Sequence, residues 1–257
     1  MHTESTANAV NYFVTENGME VPAISTEQMI EVDRIAMVET GPNLFQMMEN
    51  AGRNLAELVL QIHSRKWEKA QVVVLAGSGG NGGGGICAAR HLANRNIEVQ
   101  LALARPEKLT EVTAFQRKIF QWTSGKEVPL EALGETYPDI IIDALIGYNL
   151  VNVPHGQFAA MINWANNANS QILSLDVPSG VDATTGESPG IAIQPQWTMT
   201  LALPKTGLLP EKTGDLWLAD IGIPDAVYRQ VGIDYVSPFG KRFRVPLNVD
   251  ELPPQQA

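Results

Sequence analysis

Three stretches of this 257-residue chain hold side chains and glycines arranged as a reactive or ligand-binding site would need them. The first, Gly77-Ser78-Gly79-Gly80-Asn81-Gly82, satisfies G-x-G-x-x-G between an apolar β-branched run and a helical segment. Glycine adopts positive φ freely and lets backbone N–H groups come close to a pyrophosphate at the positive end of a helix, so the pattern points to a dinucleotide. The plain alternative is a turn that binds nothing. The second and third stretches are aspartates that end predicted strands: Asp143 before Ala144-Leu145-Ile146-Gly147, and Asp176 before Val177-Pro178-Ser179-Gly180. Carboxylates at such strand ends act as acids, bases or ligands of hard cations, or else cap a turn through backbone N–H groups.

Other candidates are weaker. Lys205 follows a predicted strand and is either a solvated loop lysine or a group near phosphate or substrate. Arg105 ends the second predicted strand, where dinucleotide folds select against or for a 2′-phosphate; a surface role is the simpler expectation. Cys87 is expected as a small buried apolar side chain, and Met47-Met48 as core packing. No G-x-x-x-x-G-K-[ST] is present, which disfavours a P-loop kinase or ATPase.

The elements that must position these groups alternate. Ser25-Thr26-Glu27-Gln28 matches a capping box, its helix is stopped by Gly41-Pro42, and a second helix is predicted over Asn43–Ile62. Strands are predicted at Gln71–Ala76, Ile97–Ala104, Asp139–Asp143, Gln171–Asp176, Trp197–Leu203 and Leu216–Ile221. Helices are predicted at Ile86–Arg95, Leu109–Trp122 and His155–Ala168, with a glycine loop from Gly77 to Gly85. This alternation predicts an α/β, Rossmann-like three-layer αβα sandwich with a mostly parallel sheet and N-terminal helices. Residues 1–23 are expected as a loose arm, 24–240 as the Rossmann domain, and 241–257 as a polar tail on which no structure is forced.

Composition narrows the partners. The net charge of −10 disfavours non-specific binding to nucleic acid or an anionic membrane. No apolar run is long enough to span a bilayer. The stretch from Met1 to Asn17 has Glu4 and Glu16 but no Lys or Arg, so neither a signal nor a transit peptide is expected, and the location expected is cytoplasmic. A single cysteine excludes an internal disulfide or a multi-cysteine zinc site.

Five motifs occur in one order: Met48-Glu49-Asn50-Ala51-Gly52-Arg53, the glycine loop, Asp143-Ala144-Leu145-Ile146-Gly147, Ser174-Leu175-Asp176-Val177-Pro178-Ser179-Gly180-Val181-Asp182, and Ile221-Gly222-Ile223-Pro224. Together, over residues 24 to 230, they resemble the YjeF N-terminal family, the NAD(P)H-hydrate epimerases. The resemblance implies interconversion of the R and S forms of NADH and NADPH hydrated at C6 of the nicotinamide. It also implies a potassium ion held by Asn81, Asp143 and Ser179, and a homodimer. The hydrated nucleotide would be contacted by Asn50, Gly80, Asn81, Gly82, Gly83, Gly84, Gly147, Tyr148, Asn149, Leu150, Val151, Asn152, Val153 and Asp176. Asp176 would be the catalytic acid/base for both proton transfers. The dehydratase domain often fused to this one has no room in the chain, so a separate dehydratase is expected in the pathway.

The sequence departs from the family's loop, G-x-G-N-N-G-G-D-G, by having Gly80 and Gly84 where an Asn and an Asp are usual. Tyr148 and Asn149 stand where small residues are usual. The alternative function is therefore a weak or inactive member serving as a nucleotide-binding or dimeric scaffold. An ordinary NAD(P)-dependent dehydrogenase is disfavoured because no separate substrate domain is left in the chain.

Overall fold

The computed structural model describes residues 10, 12–134 and 138–249. Two short strands, β1 (Tyr12–Thr15) and β2 (Glu20–Pro22), precede α1 (Thr26–Ile35) and α2 (Leu44–His63). The central units are β3 (Gln71–Ala76), α3 (Gly80–Ala93), β4 (Glu98–Leu103), α4 (Glu111–Phe120), β5 (Lys126–Glu127) and α5 (Leu130–Leu133). Then come β6 (Ile140–Ala144), α6 (Gln157–Asn167), β7 (Gln171–Leu175), β8 (Trp197–Leu201) and α7 (Pro210–Thr213). The described chain closes with β9 (Asp215–Ala219), α8 (Asp225–Gln230) and β10 (Arg244–Val249).

The ten strands among the described residues form one sheet, ordered β2-β1-β10-β9-β8-β7-β6-β3-β4-β5. From β9 to β5 every pairing is parallel; β10, β1 and β2 add antiparallel pairings at one edge. Alternation along the strands builds the layers. Val72, Val74 and Ala76 pack with residues of α2 and α3, whereas Val73 and Leu75 pack with Met161 and Ile162 of α6. The expected αβα sandwich with a mostly parallel sheet is therefore present. β3 lies between β4 and β6, so the order reverses there, and the crevice at the carboxyl ends of β3 and β6 is where such a sheet takes its ligand.

Three local expectations are corrected. The arm carries a hairpin: Phe13 and Val21 are buried, and Gly18 turns with φ +77. Residues 1–9 and 11 of that arm, and 250–257 of the tail, lie outside the described residues. The tail contains β10, which pairs with β9 and β1 and buries Val245 and Leu247. Pro246 makes that segment look unlike a strand, yet alternate burial against the sheet edge outweighs its missing N–H. Finally, helix α3 begins at Gly80, six residues before the expected Ile86, so most of the glycine loop is its first two turns. At α1 the capping box is as expected: Gln28 N–H donates to Ser25 Oγ, and Ser25 N–H to Gln28 Oε1.

Candidate active site

The turn after β3 is held tightly. Gly77 N–H donates to Ala144 O at 3.0 Å, and a Cβ on Gly77 would lie against the Leu145 carbonyl. Thr113 of α4 donates to Gly79 O at 2.8 Å, fixing the start of α3. A Cβ on Gly82 would strike Gly77 O, and one on Gly83 would strike the Met48 thioether. These glycines permit close backbone and helix packing rather than flexibility. The N terminus of α3, through Gly79, Gly80 and Asn81, opens on a cleft of about 690 Å³. Its unpaired N–H groups and dipole favour an anion there.

The two strand-ending aspartates are a few residues apart across neighbouring strands but differ in setting. Asp143 is fully buried and accepts from Ser174 Oγ (2.8 Å), Ser179 Oγ (2.6 Å), Ser179 N–H (2.9 Å) and, more weakly, Leu145 N–H (3.3 Å). Burial pushes its carboxyl above the usual range, and the serine hydrogen bonds only partly offset this. Asp176 lines the cleft in the left-handed region, φ +68. Its Oδ1 accepts from Lys205 Nζ at 2.5 Å, and its Oδ2 from Tyr148 N–H at 2.9 Å. Lys205 is wholly buried and also donates to Leu201 O (2.9 Å) and Thr200 Oγ1 (3.3 Å), which uses all three of its N–H groups. It is no solvated lysine: the loop after β8 turns it back beneath the carboxyl end of β7.

Tyr148 lines the same cleft. Its hydroxyl donates to Asp33 Oδ2 at 2.6 Å, and Lys205 Nζ lies 5.7 Å from its ring centre. Burial and the neighbouring carboxylates push its phenol well above the usual range. Gly147 lets the wall close up, since a Cβ there would lie 3.0 Å from Asp176 Oδ2 and 3.3 Å from Asn81. Both polar atoms of the Asn81 amide are buried without a hydrogen-bond partner among the described residues. A buried amide left open in this way is costly unless a ligand completes it.

Of the expected nucleotide contacts, Gly80, Asn81, Gly84, Gly147, Tyr148, Asn149, Leu150, Val151, Asn152, Val153 and Asp176 line the cleft. Asn50, Gly82 and Gly83 do not: Asn50 Nδ2 donates to Ile221 O at 3.1 Å, and the two glycines are buried inside α3. Ser179 and Asp143 meet directly, while Asn81 bonds to neither. Arg105, expected at the surface, lines the cleft and stacks over Phe158 at 5.2 Å. Met47 and Met48 are buried as expected and also form cleft wall. Cys87 is buried, its thiol pushed up to about 12 by burial and the nearby Glu49 carboxylate. Asp33 was missed, although a carboxylate inside the stripe Met29, Val32 and Ala36 is a legible signal of an inward-facing charge.

The family described as YjeF-related protein N-terminus matches residues 44–207. Over 240 residues the chain is 50% identical to an NAD(P)H-hydrate epimerase of Dehalogenimonas lykanthroporepellens, covering 93% of this chain and 98% of the relative. It is 30% identical to the chicken enhancer of mRNA-decapping protein 3, over 94% of this chain but 48% of that protein. The crystal structure of a yeast protein superposes with a TM-score of 0.76 at 22% identity, covering 88% of this chain and all of the other.

Proposed function

The chain belongs to the YjeF-related N-terminal family, and from that premise we infer that it is an NAD(P)H-hydrate epimerase, an isomerase of hydrated NADH and NADPH. The observation that carries this reading is the near full-length likeness to the bacterial epimerase. The site suits the reaction. Its cleft has the size of a small-molecule site and is lined both by an anion-attracting helix end and by the ion pair of Asp176 and Lys205. Inverting C6 needs the hydroxyl to leave with help from the ring nitrogen and water to add to the other face, with a side chain exchanging protons at that oxygen. Asp176, held in place by Lys205 and Tyr148 N–H, is our candidate for that exchange. The scaffold alternative is not favoured at this identity to an epimerase.

The finer points are proposals. Asn81, Asp143 and Ser179 would hold a potassium ion, for which an all-oxygen set is suitable. The unpartnered Asn81 amide supports this, as does a buried Asp143 whose partners carry no positive charge. Such an ion would supply fixed positive charge at the site. Arg105 on the cleft wall favours acceptance of a 2′-phosphate. We further propose a homodimer, a separate dehydratase acting on the same damaged nucleotide, and a cytoplasmic site of action. No described helix is long and apolar enough to cross a membrane.

The test is direct. Purified protein in potassium buffer is mixed with one epimer of hydrated NADPH, and the two epimers are separated by chromatography over time. Interconversion well above the spontaneous rate is expected. A rate equal to the spontaneous one at high enzyme concentration defeats the reading.

A further inference from the structure

Asp33 faces the cleft and has no task in the chemistry so far assigned. It lies in the last turns of α1, beside the buried Val32 and Ala36, where an idle carboxylate would be a cost. Its Oδ2 is pinned by the Tyr148 hydroxyl at 2.6 Å, while its Oδ1 has no hydrogen-bond partner among the described residues. The same Tyr148 gives its N–H to Asp176. One residue thus bridges two carboxyls, from α1 and from the end of β7, holding the first through its hydroxyl and the second through its N–H. Their surroundings differ. Asp176 has the Lys205 ammonium at 2.5 Å, whereas Asp33 forms no ion pair among the described residues.

We propose that Asp33 is a second catalytic carboxyl: it donates the proton to the departing hydroxyl while Asp176 accepts one from the water entering on the opposite face. This rests on the epimerase reading. In the first step the C6–O bond breaks, its electron pair stays on oxygen, and that oxygen leaves as water with the Asp33 proton. The ring-nitrogen lone pair forms a nitrogen–C6 double bond, giving an iminium. In the second step water bonds to the other face of C6, the π pair returns to nitrogen, and the surplus proton goes to Asp176. Nothing is oxidised or reduced. Solvent reprotonates Asp33 and deprotonates Asp176, and the reverse direction exchanges their roles. Of the two carboxyls Asp176 is held beside an ammonium and Asp33 is not, and such a difference in surroundings is what a division into acid and base requires.

The titration of Asp33 has identifiable neighbours. Burial raises its carboxyl above the usual range; the Tyr148 hydrogen bond and the Lys205 charge lower it, and the Asp176 charge raises it. Tyr228 of α8, which packs against α1, also faces it. On its own helix, Arg34 is engaged by Glu31 and by Glu39 beyond the helix end.

The experiment measures kcat and KM for both directions across pH in wild type, D33N, D33E and Y148F. Only protonated Asp33 can donate, so wild-type kcat for the direction it serves should fall as pH rises through its titration. D33N should lower kcat by about 10²-fold or more, with KM altered only a few-fold, and D33E should recover part of it. Y148F removes a bond that favours ionised Asp33, so the alkaline fall should move to higher pH. A D33N protein with wild-type kcat, or with only a raised KM, overturns the proposal. A Y148F profile whose alkaline fall stays in place overturns it too, and this holds even where D33N fails to fold. A wild type no faster than the spontaneous rate instead defeats the epimerase reading, and this proposal with it, so the two failures are told apart.

Discussion

The ends of β6 and β7 carry the same local sequence idea, an aspartate at a strand end before a glycine turn, and put it to opposite uses. At the end of β6, Asp143 is sealed in and surrounded by donors from Ser174, Ser179 and Leu145, so its charge is spread over hydroxyls and backbone N–H groups. At the end of β7, Asp176 is turned into the cleft by a positive φ and paired with an ammonium from the loop after β8. The first braces two neighbouring turns. The second presents charge to whatever enters. The donors that the neighbouring strand supplies decide between framework and chemistry; the strand-ending aspartate itself does not.

Removing the lysine should break this contrast most severely. K205M leaves Asp176 buried without its counter-charge, and losing one partner of a buried pair costs about 3–5 kcal/mol. Urea unfolding measures this, and D176N/K205M should recover part of the loss by removing the orphaned charge. Stability within about 1 kcal/mol of wild type in K205M would mean that the pair does not hold this wall.

D176N keeps the shape but cannot exchange protons at neutral pH. A loss of about 10²-fold or more in epimerisation is expected in protein shown by circular dichroism to be folded at the assay temperature, with the melt lowered because the amide leaves the Lys205 ammonium without its counter-charge. Full turnover by D176N would remove Asp176 from the chemistry and collapse the contrast. The mirror change, D143N, turns an amide N–H toward groups that are themselves donors. It should cost about 1–3 kcal/mol and abolish any extra stability that potassium gives over tetramethylammonium. Were D143N instead to spare stability and the potassium response, Asp143 would be no framework residue.

The smallest effects concern the glycines of α3. A Cβ on Gly84 would lie 2.8 Å from Leu175 Cδ2, so G84D should be destabilising by about 1–3 kcal/mol. Gly80 has nothing within 4 Å of such a Cβ, and G80N should be neutral or stabilising by about 0.5 kcal/mol. G80N should also tighten hydrated-nucleotide binding about tenfold, by adding an amide at the cleft mouth; calorimetric titration would show it. An unchanged affinity would show that this position does not address the ligand.

Much of the fold was legible because it is periodic. The runs Val72–Ala76 and Ile140–Ala144 can be satisfied only by burial on both faces, and Ser25 with Gln28 marks its helix start unaided. The ordered motifs likewise fixed the family and the strand-end aspartates. The antiparallel strands were harder. Four residues of β1 and three of β2 carry too little pattern, although Asn17-Gly18 is a hairpin signal, and Pro246 masks β10.

Residue pattern alone was therefore enough for the layered α/β chain and for the positions, at the carboxyl ends of strands, from which chemistry would come. Which side chains meet was settled by packing. Lys205 and Asp176 are 29 residues apart, and Tyr148 and Asp33 are 115 apart. Local propensity acts over a few residues and carries no information about such pairs, which exist because the fold returns distant segments to the carboxyl ends of the same parallel strands. The same holds for the glycines from Gly82 to Gly85. As a string they resemble a flexible loop; packed against Gly77, Met48, Leu175 and Ala144 they are a helix whose neighbours leave no space for side chains.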